Sequence, residues 1–357
     1  MSEDHEVRST VGLVIRDPAL VLGILASVFL FFSMLLFPVF GILVGLFTPL
    51  PLLYFYYQRG RTIGLVMIGL ATLVVGIIFF MDSNLAGGLM FLGYGLLVVV
   101  MAESLRFSLP PEKVIGYPAA ALLGLGLAVL IVSSTFHGQS PWAYGQNVIK
   151  THIEETFRIY QDILTAAQQS RAPLESDQAE DRSGITGEDE GRKIEAEFPS
   201  AAPDEEFGKL ASLFVRIFPG LMIIGVLLLA WINFMAVRWL LAWKGVLPHH
   251  LADLKKWKAP EVLIWGVILF GFCVILPIEA SRSIGLNGLM VLALIYFFAG
   301  LSVVAYWFDL KAVPRFFRVI TYMIIALQQY LGLIIVGLGL FDLWFDFRRL
   351  KKAQSNS

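Results

Sequence analysis

Between Pro18 and Tyr57 the chain carries no charged residue, and similar uncharged blocks recur almost to its end, separated by short charged joints. This alternation constrains the fold more than any other feature. A block of ~20 apolar residues is what a helix needs to cross a ~30 Å hydrocarbon layer. In that layer each backbone polar group must find its partner within its own segment, which makes the helix the default. A transmembrane barrel needs ~10-residue segments alternating apolar and polar, and runs such as Leu96 to Met101 do not alternate. Composition agrees: 57% of residues are hydrophobic and 15% charged, where a soluble domain carries about 25% charged. The sequence predicts an all-α, polytopic transmembrane helical bundle.

Nine apolar segments are expected, near residues 19–37, 39–57, 62–81, 85–105, 114–135, 211–240, 260–279, 286–308 and 316–345. The first two are separated at Pro38 and Gly41, because proline disfavours helix at the residue before it. Thr48-Pro49-Leu50-Pro51 is then a kink or broken turn in the second. The last segment is interrupted by Gln328-Gln329-Tyr330.

Orientation follows from Lys and Arg in the short joints. Arg59 and Arg61, then Arg106 and Lys113, then Arg238, Lys244, Lys255, Lys256 and Lys258, then Lys311, Arg315 and Arg318 mark one side. The joints at Asp82-Ser83-Asn84 and at Arg282 are poor in basic residues. This alternation puts the N-terminus in the cytoplasm. Arg348, Arg349, Lys351 and Lys352 also ask for the cytoplasm, which requires the last segment to be two short helices, 312–328 and 331–347. About ten crossings result, in a bacterial cytoplasmic membrane. The expected organisation is a tail (1–17), an N-terminal transmembrane half (18–136), an extracytoplasmic stretch (137–209), a C-terminal transmembrane half (210–348) and a cytoplasmic tail (349–357).

The outward stretch is acidic: between His137 and Gly208 lie fifteen of the twenty-eight acids against six Lys and Arg. Its middle, Ser170 to Asp204, has too few large apolar residues to offset ordering entropy and is expected to be disordered. Its flanks are expected to be amphipathic helices. Ile149, Ile153, Phe157, Tyr160 and Leu164 share one helical face, as do Phe207, Leu210, Phe214 and Ile217.

Motifs for chemistry are sparse. No phosphate-cradling G-x-x-x-x-G-K-[ST], H-E-x-x-H or G-x-S-x-G occurs, so no enzyme activity and no cofactor are expected. The single cysteine, Cys273, lies in an apolar run and reads as a packing residue. His249, His250 and Asp253 are weak candidate metal ligands. A net charge of −1 gives no reason to expect a nucleic-acid partner. Polar residues inside the spans are costly there and usually face the bundle interior. The candidate ligand-binding set is therefore Trp231, Asn233, Asn287, Gln328 and Gln329, with the Trp231 ring available for stacking and the amides for hydrogen bonds.

Pro219, Trp231-Ile232-Asn233, Leu247-Pro248, Trp257 with Pro260, Asn287, Gly300, Gly339-Leu340-Phe341-Asp342 and Asp346-Phe347-Arg348 occur in order along the C-terminal half. In these features the chain resembles the YybS-like family of uncharacterised bacterial membrane proteins, the domain of unknown function 2232; Ser170 to Asp204 departs from it as an insertion. The resemblance implies a fold distantly similar to the substrate-binding S components of energy-coupling-factor transporters. Two functions fit these features: a small-molecule-binding transporter subunit that works with a separate energising module, or a structural or scaffolding protein of the cell envelope. The lipid bilayer is the expected environment in either case, and other membrane or envelope proteins the expected partners. A membrane enzyme ranks third.

Overall fold

The computed structural model describes residues 10–81, 85–156, 158–159, 162, 204–248, 251 and 254–348. The tails 1–9 and 349–357, the joint 82–84 and residues 163–203 lie outside the described residues, as do Phe157, Tyr160, Leu164, His249, His250 and Asp253. The expectations of a disordered insertion and of a histidine metal site fall there. Among the described residues every regular element is helical. The chain divides into two compact units, Met1–Leu127 with Gly220–Ser357, and Ala128–Pro219.

The larger unit begins with α1 (Pro18–Leu36), whose start is set by Pro18 in the first turn and by the Asp17 carboxylate accepting from the Ala19 amide at 2.9 Å. It stops at Phe37, which is extended ahead of Pro38. The chain then folds back as α2 (Pro38–Gly45). Only glycine fits at position 41, where a Cβ would lie 1.8 Å from the Ser33 carbonyl oxygen. After the turn at Leu46–Thr48 come α3 (Pro49–Arg59), α4 (Arg61–Met81) and α5 (Leu85–Arg106). Phe31 of α1 meets Phe79, Phe91 and Tyr94 edge-on at 5.2–6.0 Å, the geometry aromatic rings prefer. Next is α6 (Pro111–Phe136).

The chain returns as α7 (Asp204–Trp243), one continuous 40-residue helix. The sequence suggests a separate amphipathic helix over Phe207–Ile217, but no break divides it from the span. Pro219 sits inside α7 without ending it. Ala230, Phe234, Val237 and Leu241 of α7 are buried in the same core as α1, α3, α4 and α5. After a short 3₁₀ turn (Leu254–Lys256) come α8 (Leu263–Ile275), α9 (Glu279–Leu310), α10 (Arg315–Leu327) and α11 (Gln329–Phe345). α9 starts seven residues earlier than the expected span, so Asn287 lies within it rather than opening it. α9 and α11 run in the same direction, Gly300 meeting Gly339 and Trp307 meeting Phe347. A Cβ at Gly300 would sit 2.0 Å from the Ile335 carbonyl oxygen, and one at Gly339 2.0 Å from that of Tyr296. Small residues let helix backbones approach this closely.

Among the described residues, seven helices are long and apolar enough to cross a membrane: α1, α4, α5, α6, α7, α9 and the α2–α3 segment from Phe40. α8 is apolar but only 13 residues long. α10 and α11 pass the same test only together, and the pair is bent by 105° at Gln328.

In the smaller unit, the end of α6 turns at Gly138, whose φ of 64° is open to glycine, into a helix over 141–156. The ring of His137 lies against Tyr144 at 4.9 Å.

Candidate functional site

Two polar features stand out in the larger unit. The first is a layer of bonded joints. Asp17 pairs with Arg59 at 3.3 Å. Tyr56, three residues before Arg59, donates to Glu103 at 2.8 Å, and Glu103 pairs with Arg106. Across the α5–α6 joint, Glu112 accepts from the indole N–H of Trp257 at 3.1 Å. Arg238 near the end of α7 donates to the Leu251 carbonyl at 2.7 Å. Lys255 and Arg318 both bind the Asp309 carboxylate, and Lys258 binds Asp346 at 2.6 Å. Each basic-rich joint among the described residues thus carries at least one such bond, and those of Lys255, Lys258, Arg318 and Arg348 form one polar cluster.

Arg348 closes this layer. Its side chain is fully buried. One terminal nitrogen donates to the carbonyls of Lys255 (2.7 Å) and Trp257 (2.9 Å) and to the Ser302 hydroxyl (3.0 Å). The other binds buried Asp342 at 2.6 Å. Asp346, left-handed at φ 42°, ends α11 and turns the chain so that Arg348 folds back over the helix end. In the sequence, Asp342 and Asp346 figure only as members of the C-terminal pattern on which the family resemblance rests. Their spacing from Arg348 was the signal that could have revealed the pairing.

The layer decides where the hairpin α10–α11 begins and ends. Arg318 in its first turn and Arg348 just past its last are tied to the same short segment, Lys255–Trp257, directly or through Asp309. Its two legs, about 20 and 26 Å long, therefore leave from and return to one side. The far end carries Gln328, Gln329 and Tyr330, all exposed.

The second feature is a break in the N-terminal half. Pro49 and Pro51 lack amide hydrogens, so the bonds there shorten to three-residue turns: Phe47 to Val44, Thr48 to Gly45 and Leu50 to Phe47, each 3.0 Å. With the Leu50 amide diverted, the Leu46 carbonyl is free to accept from the side-chain amide of Asn233 at 2.9 Å. The same nitrogen donates to Leu229 at 2.9 Å. Ser27 donates to the Thr48 carbonyl at 2.7 Å. Ser27, Thr48 and Asn233 are all fully buried. Two of their oxygens, Asn233 Oδ1 and Thr48 Oγ1, have no partner among the described residues.

The five candidate residues are strung out rather than gathered. Asn233 pins the Leu46 break. The Trp231 ring is stacked on Phe298 at 4.5 Å. Asn287 accepts from the Gly220 amide at 2.6 Å and donates to the Ser283 carbonyl at 2.7 Å. Gly220 and Asn233 are thirteen residues apart on α7, about 20 Å at helical rise. Gln328 and Gln329 lie at the hairpin tip. Ser27 and Thr48 do not stand out in the sequence, where a hydroxyl in an apolar run looks like any other.

The model of the family described as "Predicted membrane protein (DUF2232)" matches residues 24–184 and 193–343, a span that takes in the helices, the break and Asp342. The chain belongs to this family. The family's description agrees with the apolar helices, and the protein is an integral membrane protein of the lipid bilayer. No curated protein and no solved structure matches it. Neither comparison supports the expected likeness to S components.

Proposed function

We propose that the protein is a subunit of a membrane transporter that handles a small polar solute or an ion. The observation carrying this reading is the hairpin α10–α11, bent by 105° and tied to one polar layer at both ends. With the Lys- and Arg-rich layer on the cytoplasmic side, the chain crosses eight times, counting short α8. It adds a hairpin that enters and leaves from the cytoplasm. Both ends are then cytoplasmic, as the basic residues at the C-terminus require, without the two extra short crossings counted from the sequence. With legs of about 20 and 26 Å, the Gln328–Gln329 tip reaches roughly the middle of a ~30 Å layer. Irregular backbone at that depth is tolerated where protein buries it or where it lines a watery cavity. Discontinuous helices near the midplane are how many transporters build their sites.

Thiol accessibility tests this. In a Cys273→Ala background, Gln328→Cys and Gln329→Cys are treated in native membranes with a water-soluble maleimide. Thiols react as thiolates, which need water. Labelling of the tip is expected, while Leu333→Cys on the exposed apolar face of α11 stays unlabelled. An unlabelled tip would remove the reading.

A further inference from the structure

We infer that the Leu46–Thr48 break and Asn233 form a binding site for a monovalent metal cation. The balance of donors and acceptors points there. Both hydrogens of the Asn233 amide are committed, to Leu46 and Leu229. The Ser27 hydroxyl hydrogen is committed to Thr48. What stays open is oxygen: Asn233 Oδ1 and Thr48 Oγ1, both buried and without a partner among the described residues. Beside them is the second lone pair of the Leu46 carbonyl, the first being taken by Asn233. A buried acceptor left unpaired is costly, and here two belong to the residue that forms the break and the residue that pins it.

Charge then selects the ligand. The segments supplying these atoms contain no Asp, Glu, Lys or Arg from 18 to 57 or from 217 to 237. A divalent ion needs carboxylates to offset its charge and desolvation, so this set does not suit one. An anion needs donors, and only the Thr48 hydroxyl has one to spare. Neutral side-chain oxygens with a carbonyl from a broken helix match what a monovalent cation such as Na⁺ requires, and unwound carbonyls coordinate it in this way in transporters. Proline builds the break from sequence: with no amide hydrogen at Pro49 or Pro51, the Leu50 amide turns to Phe47 and the Leu46 carbonyl stays out of the helical ladder. The site deepens the transport reading, since a cation bound there would be the coupling or transported ion, and it rests on that reading for its role.

The test uses the full chain, purified in detergent. Thermal unfolding is followed while NaCl replaces choline chloride at constant ionic strength, with KCl and LiCl as parallel series. A saturable rise in the unfolding midpoint with at least one alkali cation is expected. Thr48→Val removes a hydroxyl that holds nothing in the fold, so its midpoint in choline should match the parent. It should need at least about tenfold more cation for the same rise. Thr48→Ser keeps the oxygen and should respond like the parent. No alkali-specific rise in the parent, or an equal rise in Thr48→Val, overturns the site. A labelled hairpin tip without a cation response would leave the transport reading standing and remove only this site. A cation response with an unlabelled tip would do the reverse.

Discussion

One buried guanidinium ties the end of α11 to the segment Lys255–Trp257. Arg348 uses one nitrogen to cap two carbonyls of the segment Lys255–Trp257 and the other to neutralise Asp342. Removing one partner of a buried ion pair strands the other charge and costs about 3–5 kcal/mol. Arg348→Met is therefore expected to lower stability by that order, read as a fall in the unfolding midpoint of the purified protein. The double variant Arg348→Met with Asp342→Leu should recover part of the loss but not all, because the Lys255 and Trp257 carbonyls still lack their donor. Arg348→Lys should fall well short of the parent, since a point charge cannot reproduce the planar fork.

Between elements distant in sequence, α9 and α11 approach closely enough for backbone to meet backbone. Gly300 and Gly339 face each other so tightly that either Cβ would strike backbone rather than a movable side chain. Backbone cannot yield as a flexible side chain can, so Gly300→Val and Gly339→Val should each destabilise by about 3 kcal/mol or more. Gly332→Ala, which meets nothing within 4 Å, should be neutral or slightly stabilising as Ala replaces Gly in a helix. Midpoints of the three variants, with monodispersity by size exclusion, check this. The α2–α3 break follows a different logic: prolines make it, and a distant amide, Asn233, makes it tolerable in an apolar core.

For the whole molecule the decisive feature is parity. Successive membrane-crossing helices must alternate sides, and the bonded, basic-rich joints from Asp17 to Arg348 fall at every other joint along the chain. A periplasm-dependent reporter inserted near Gly187 should be active, and the same reporter after Lys352 silent. Activity after Lys352 would break the link between the polar layer and the cytoplasm.

Much of this was legible in the residues. Runs without charge between charged joints specify apolar helices, because a bilayer leaves the backbone no other way to pair its hydrogen bonds. The breaks at Pro49-Pro51 and Gln328-Gln329 were visible for the same reason, since proline and amides are out of place there. The candidate site was legible only in part. Trp231, Asn233 and Asn287 stood out by residue type, but their partners Phe298, Leu46 and Gly220 lie 67, 187 and 67 positions away, and no local pattern encodes such pairings. The sequence alone determined the helices, their apolar character and the basic joints, all of which follow from short stretches of chain in an apolar solvent. Only the tertiary structure decided that Arg348 is buried, that the last two helices return to one layer, and that Asn233 closes a break made by prolines nearly two hundred residues earlier. These depend on which distant groups meet once the helices pack.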